Sequence, residues 1–339
     1  MRTLFIQPFN DYTGSTRVLA NIILQRYSLE DIAVICYGQK GFLSDIEGLK
    51  LYRFNYPRFL GRRIPIVSGL LQKLHMYLLV FLYLPFFDEL YINTIVPVIT
   101  AYIGILYRKP VTIHVHEKKL KLSFVASIRE RLFVKVRAKK IFVSNYLSSY
   151  YPSVKNPIIE YNRLPKQFVS GVEVTPLQNR GLNKIIMLSS LQEEKGCSNY
   201  IKLAKLNPDF TFMFVCSATQ AQIDDYFHNY EMPKNVVIYD RQSNIHPFLK
   251  QADLLLNMSN KDFIIETFGM TIIEGMAYGL PAIAPDAGGP LEIIEQGETG
   301  YCCDVRNLQE VSKYIKIILK GDYGRYMNNC LNHVKVFME

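Results

Sequence analysis

The sequence predicts an α/β fold built of two doubly wound domains, and three observations predict it. The chain has 339 residues, which is room for two domains of ordinary size. Residues 3–37 read as a short apolar strand, a polar loop, a helix with Val18, Leu19, Ile22 and Ile23 inward, and a second strand, which is how a doubly wound sheet opens. Residues 166–181 are polar and broken by Gly171, Pro176 and Gly181, and at residue 184 the pattern of strands and helices starts afresh.

Composition narrows the function. A hydrophobic content of 49% supports sizeable cores. The six cysteines are scattered without C-x-x-C spacing, which fits reduced thiols in a cytoplasm. A strand pattern follows Met1 at once, with no basic and apolar leader, so a secreted destination is not expected. The net charge of +9 is uneven: residues 1–165 hold 23 Lys/Arg against 10 Asp/Glu, and residues 166–339 hold 16 against 20. So basic a first domain is expected to face a polyanion or an anionic membrane. Nucleic acid is set aside, because no zinc-finger spacing or other nucleic-acid motif occurs.

In the first domain the loop at residues 8–15 lacks G-x-G-x-x-G and G-K-[ST], so neither dinucleotide nor P-loop binding is supported. Strands are expected at 31–37 and 50–54, followed by a basic loop with Arg58, Arg62 and Arg63. Residues 70–87 are strongly apolar, interrupted by Gln72, Lys73 and His75, and closed by Asp88 and Glu89. The uninterrupted part is shorter than the roughly 20 residues that span a bilayer. It reads as a buried helix or as one seated on a membrane. A strand at 90–93 and a helix at 98–106 precede another strand at 110–116, which ends in His114, Val115, His116 and Glu117. Ligands gather at the carboxyl ends of parallel strands, so His116 is placed to meet one. His114 shares its face but lies deeper, as a packing or hydrogen-bonding residue. Residues 118–140 carry nine Lys/Arg and one acidic residue, with Leu122, Phe124, Val125, Ile128, Leu132, Phe133 and Val136 forming an apolar side. Such a segment suits anionic lipid, or the surface of a sheet. Short strands at 139–144 and 158–161 complete the domain.

The second domain opens with a strand at 184–189, a turn at 191–196 and a helix at 199–206. Strands follow at 210–216 and 236–239, the latter just ahead of Arg241, and at 252–256. The chain is organised around what comes next, residues 266–292, which read ETFGMTIIEGMAYGLPAIAPDAGGPLE. Glu266 stands on a loop. Phe268, Gly269 and Met270 lead into a helix that carries Glu274. Gly279 and Pro281 end that helix, a short buried strand follows, and Gly288 and Gly289 form a second glycine turn before Glu292. Helix starts and glycine turns bind anions through free backbone N–H groups, and carboxylates accept hydrogen bonds from sugar hydroxyls. The patch suits a phosphorylated sugar or a nucleotide.

The same order of parts resembles the donor-binding signature of the retaining glycosyltransferases of family 4, which have the GT-B fold of two Rossmann-like domains facing across a cleft. The matching residues are Glu266, Phe268, Gly269, Glu274, Gly279, Pro281, Gly288, Gly289 and Glu292. The resemblance extends to Gly14 and Arg17 in the first loop, to His116 with Glu117, to Asn162, and to Leu191, Lys195 and Gly196. It implies an acceptor-binding domain at 1–165, a linker at 166–182, a nucleotide-sugar domain at 183–324, and the start of a crossover helix at 325–339. It implies transfer of a hexose from a nucleotide diphosphate sugar, with retention, to a glycan acceptor. A lipid-linked acceptor is expected, in lipopolysaccharide, O-antigen or capsule synthesis, with the protein cytoplasmic and peripheral on the inner face of the membrane. Lys195 and the N–H groups around Gly269 and Met270 would hold the diphosphate, Glu274 the ribose, and Glu266 and His116 the donor sugar. No cofactor is implied, and no D-x-D occurs to suggest a metal.

The sequence departs from the family at four points. The first glycine pair is reduced to Gly14, Arg163 replaces a glycine, and Ser189 and Ser190 replace a glycine and an arginine. The lost arginine matters most, because a serine carries no charge and a guanidinium binds phosphate in two places at once. Arg241 and Arg163 are the candidates to replace it. Rival readings are a two-carboxylate hydrolase, a sugar phosphorylase on the same fold, and a catalytically impaired nucleotide-sugar-binding protein.

Overall fold

The computed structural model describes residues 1–38, 40–54, 65–118 and 124–338. Arg58, Arg62, Arg63, Lys119, Lys121 and Leu122 lie outside them, as do the side chains of Phe124 and Val125. The chain divides into two units, Met1–Tyr161 and Asn162–Glu339.

In the first unit, strands β1 (Thr3–Phe9), β2 (Ile32–Tyr37), β3 (Leu51–Phe54), β4 (Glu89–Asn93), β5 (Val111–Val115), β6 (Lys139–Phe142) and β7 (Ile158–Ile159) pair in the order β3-β2-β1-β4-β5-β6-β7, all parallel. Phe5 of β1 lies opposite Val34 of β2 and Tyr91 of β4. Leu4, Phe5 and Ile6 in a row are fully buried, as a parallel strand covered on both faces requires. Helix α1 (Gly14–Arg26) turns Val18, Leu19, Ile22 and Ile23 inward, the side its periodicity predicts. The longer helices that follow are α2 (Pro65–Tyr83), α3 (Ile99–Leu106) and α4 (Phe124–Lys135).

In the second unit, β8 (Lys184–Ser189), β9 (Thr211–Cys216), β10 (Val236–Tyr239), β11 (Leu254–Leu256), β12 (Ala282–Pro285) and β13 (Gly300–Cys303) pair in parallel in the order β10-β9-β8-β11-β12-β13. Both sheets thus start in the middle, wind to one edge, return, and wind to the other. Each has a switch point where its order reverses, at β1/β4 and at β8/β11, and ligands of open α/β sheets bind at the carboxyl ends there. The core of this unit packs Phe212, Phe214 and Ile283 against helices α5 (Cys197–Leu206) and α6 (Leu308–Lys320). Tyr200 is fully buried, and its hydroxyl is satisfied by the carbonyls of Ile185 and Met213 at 3.0 and 2.9 Å.

The two end segments of the second unit pack on its core. Within residues 166–182 the ring of Phe168 lies 4.6 Å from that of His246. Arg180 forms a buried pair with Asp253 at 3.6 Å, their side chains 1% and 3% exposed. The Arg180 guanidinium also donates to the carbonyls of Ala252 and Tyr278, so a polar stretch without apolar periodicity is nonetheless fixed. At the other end a helix at Tyr323–His333 follows. The Tyr323 hydroxyl donates to the Asp253 carbonyl, and Phe337 beyond the helix lies against Phe268.

Candidate functional site

The switch point of the second unit brings together Lys195, Gly196, Glu266, Gly288 and Gly289 of the signature that the sequence resembles, whereas Gly279 lies away from it, against Met327 of the C-terminal helix. β8 ends at Ser189, and the turn after it carries Lys195 and closes on Gly196 with φ +77°. A Cβ on Gly196 would stand 2.1 Å from the Met258 carbonyl oxygen, so glycine is what lets this turn press on the loop after β11. Asn260 N–H donates to the Glu194 carbonyl at 2.8 Å and fastens the two loops together. Across that junction Lys195 Nζ meets Glu266 Oε1 at 2.5 Å. Ser259 Oγ donates to the same oxygen at 2.9 Å. Burial alone would raise the Glu266 carboxyl. The charge of Lys195, together with hydrogen bonds from Lys195, Ser259 and Asn257, outweighs burial and holds it below the usual carboxylate range. At neutral pH the site therefore presents an ion pair at the strand ends, partly open to solvent.

The glycine turn completes this wall. Gly289 N–H donates to the Glu266 carbonyl at 2.8 Å, and a Cβ on Gly289 would collide with the Phe268 backbone at 2.3 Å. Lys261, from the loop ahead of Glu266, pairs with Asp286 of the glycine turn at 2.7 Å. Helix α7 (Met270–Met276) starts just beyond Glu266, with Gly269 at φ +122° as its cap. Met270 is its first residue, and Glu274 one turn on is fully buried. Phe268 turns its ring inward, 5.9 Å from that of Phe337, so its side chain holds the loop and its backbone faces the turn.

Ser190 lies at the end of β8, where its carbonyl accepts from the Cys197 thiol. Arg241, expected as a replacement cation, is anchored nearby. Its Nη2 donates to the Ser217 carbonyl at 3.0 Å, and Ser217 N–H in turn donates to the Ser189 carbonyl at 3.1 Å. Ser217 thus links its guanidinium to the end of β8. Arg163 is exposed.

In the first unit the switch point carries a polar chain. Asn93, at the end of β4, accepts from His116 Nε2 at 2.8 Å. Asn93 Nδ2 donates to Gln7 of β1 at 2.6 Å, and Gln7 donates to Thr16 at 3.0 Å. This chain spans the reversal of strand order and fixes the His116 ring with its Nε2–H toward Asn93. Burial, and next the neighbouring His114, hold His116 well below the usual histidine range. His114 is deeper: its Nδ1 meets the Tyr91 hydroxyl at 2.8 Å, and burial, followed by Arg26, pushes it down to about 3. Both imidazoles are therefore neutral at pH 7. Gly14 begins α1 at the surface, where a Cβ would meet nothing within 4 Å, and Arg17 follows one turn later.

Sequence reasoning missed Asn257, Ser259, Asn93 and Gln7. Each is polar at a strand end or in the loop just after it, beside a switch point. Strand order was the absent signal, because it alone tells which strand ends are neighbours. Among the described residues no cluster of three or more His, Cys, Asp or Glu could hold a metal ion.

The chain has the GT-B fold. Its path follows that of Anabaena HepE, solved with UDP and glucose, with a TM-score of 0.77 at 20% identity, covering 100% of this chain and 96% of that one. It also follows the lipopolysaccharide outer core galactosyltransferase WaaB, with a TM-score of 0.73 at 16% identity, covering 100% and 96%. Residues 175–332 match the family of glycosyl transferases group 1. Among curated relatives, N-acetyl-alpha-D-glucosaminyl L-malate synthase of Bacillus anthracis is 34% identical over 94 residues, 28% of this chain and 24% of that protein. The matched stretch thus spans about a quarter of the length of that relative, and still less of the sucrose synthases that match it.

Proposed function

We propose that the chain is a retaining glycosyltransferase that moves a hexose from a nucleotide diphosphate sugar to a bacterial surface glycan. The observation that carries this reading is the Lys195–Glu266 pair at the β8/β11 switch point, walled by the glycine turn at Gly288 and Gly289. A cation and a carboxylate held 2.5 Å apart where the loops after β8 and β11 meet suit a charged leaving group beside a sugar. The group 1 family match over residues 175–332 covers this site, and Anabaena HepE was solved with UDP and glucose.

In this reading Lys195 neutralises the diphosphate as the bond to the sugar breaks, joined by N–H groups at Gly269 and Met270 and by Arg241 in place of the family arginine at Ser190. Glu274 receives the ribose hydroxyls. Glu266 holds the donor sugar and stabilises the positive charge growing at its anomeric carbon. For His116 the role is contact with the donor sugar as a neutral hydrogen-bonding ring, and for Gly14 and Arg17 contact with phosphate. The acceptor is lipid-linked, in keeping with the lipopolysaccharide activity for which WaaB is named, and the site of action is the cytoplasmic face of the membrane.

The test is a screen of nucleotide sugars with a lipid-linked oligosaccharide acceptor, read as release of nucleoside diphosphate and as product anomer. Turnover with one donor and an unchanged anomeric configuration is expected. Tight nucleotide binding without turnover on any donor would leave only a binding protein.

A further inference from the structure

The first unit has an apolar face with no cover among its described elements. One side of α2 rests on the sheet: Val80 is fully buried, and Tyr83 stacks on Tyr52 of β3 with ring centroids 3.9 Å apart. The other side sets Leu70, Leu74, Leu78 and Leu82 in a stripe at helical spacing, each more than half exposed, with Leu74 at 52%. Helix α3 lies alongside, joined where Tyr107 donates to the Phe81 carbonyl at 3.1 Å, and adds Ile105 and Leu106, the latter 68% exposed. Among the described residues the run 69–86 is the one helix long and apolar enough to cross a membrane, yet 11% of it is buried. A patch of this extent on a soluble chain marks an interaction surface.

Charge around the face says what covers it. No Asp or Glu occurs from residue 65 to 87 or from 90 to 116. The cations Lys73 on α2 and Arg108 just past α3 are exposed. Helix α4, tied to α3 by the Tyr102 hydroxyl on the Leu132 carbonyl, adds exposed Arg131 and Lys135. An apolar stripe bordered by cations and tyrosines is complementary to the boundary between acyl chains and anionic headgroups. A second copy of the same face would oppose like charges. Spanning is ruled out while α2 keeps one side on the sheet, which leaves only contact in the plane of a leaflet.

We propose that the α2–α3 face seats this protein in an anionic lipid leaflet, with the leucines entering the acyl boundary and the cations of α2 to α4 on lipid phosphate. The proposal rests on the first unit alone and does not depend on the donor reading. It is tested by co-sedimentation of the full chain with vesicles of phosphatidylcholine, and of phosphatidylcholine with about 30% phosphatidylglycerol, at low and high salt. The wild type should favour the anionic vesicles by about ten-fold at low salt, and salt should erode that preference. The surface pair Leu74→Ser with Leu78→Ser should lose about ten-fold of the binding, with an unchanged circular dichroism spectrum. Arg131→Gln with Lys135→Gln should lose the anionic preference. Wild type that stays in the supernatant, or serine variants that bind as well as wild type, would overturn the proposal. So would a dimer, formed without lipid, that the serine pair dissociates, since the face would then belong to a second copy.

Discussion

Glu266→Gln should lower kcat by roughly 100- to 1000-fold while leaving the KM for donor within a few-fold. The structure gives the reason. Glu266 is ionised at neutral pH because Lys195, Ser259 and Asn257 hold it so, and its side chain is partly open to solvent. Glutamine keeps the shape and removes the charge, which matters most when the sugar becomes cationic in the transition state. Glu274→Gln should behave differently. Glu274 is buried a turn into α7; if it holds the ribose as proposed, that contact changes little along the reaction, and its loss should mainly raise the donor KM. Steady-state kinetics with varied donor and saturating acceptor separates the two. A Glu266→Gln enzyme with unchanged kcat and only a raised KM would defeat the assignment.

Lowering the pH from 7 to 4 should cost the protein about 3 kcal/mol of stability through His114 alone. In the folded chain His114 is held at about 3, against an ordinary value of 6.5. Between those values the unfolded chain binds a proton that the folded chain refuses. The stabilisation is complete above about pH 6.5 and is lost progressively as pH falls toward the folded value. The imidazolium carries a proton on both ring nitrogens, and Nε2 is buried with no hydrogen-bond partner among the described residues. Urea unfolding across this range, compared with His114→Gln, reads the effect as a difference in slope. The variant should lose less stability per pH unit than wild type, and identical slopes would show that His114 does not remain neutral.

The alternation of elements was legible because each is locally declared. β1 is an apolar run, α1 shows 3.6-residue periodicity, and Gly279 with Pro281 punctuates the end of α7. β13 escaped notice because it opens on Gly300, at φ +148°, and carries two cysteines with no β-branched residue. A Cβ at Gly300 would stand 1.9 Å from the Ala282 carbonyl oxygen, so the residue that reads as a turn is what lets this edge strand approach its neighbour. The polar stretch 166–182 likewise gave no sign of packing, since what fixes it is Arg180 reaching Asp253. At the site, the types and spacing of Glu266, Glu274 and the glycines were readable. The contact between Lys195 and Glu266, 71 residues apart, exists only once β8 and β11 lie side by side. The apolar content of residues 70–87 was plain, but which side rests on the sheet depends on Val80 and Tyr83 finding β3 and its neighbours.

Calorimetric binding of a nucleoside diphosphate and of the corresponding nucleoside, to wild type and to Lys195→Ala, tests the central claim most directly. If the β8/β11 switch point receives the diphosphate, wild type should prefer the diphosphate strongly, and Lys195→Ala should lose about 2–3 kcal/mol on it, roughly 30- to 150-fold, with little change for the nucleoside. An equal loss on both ligands, or none on either, would contradict a phosphate site at Lys195 and with it the proposed donor pocket.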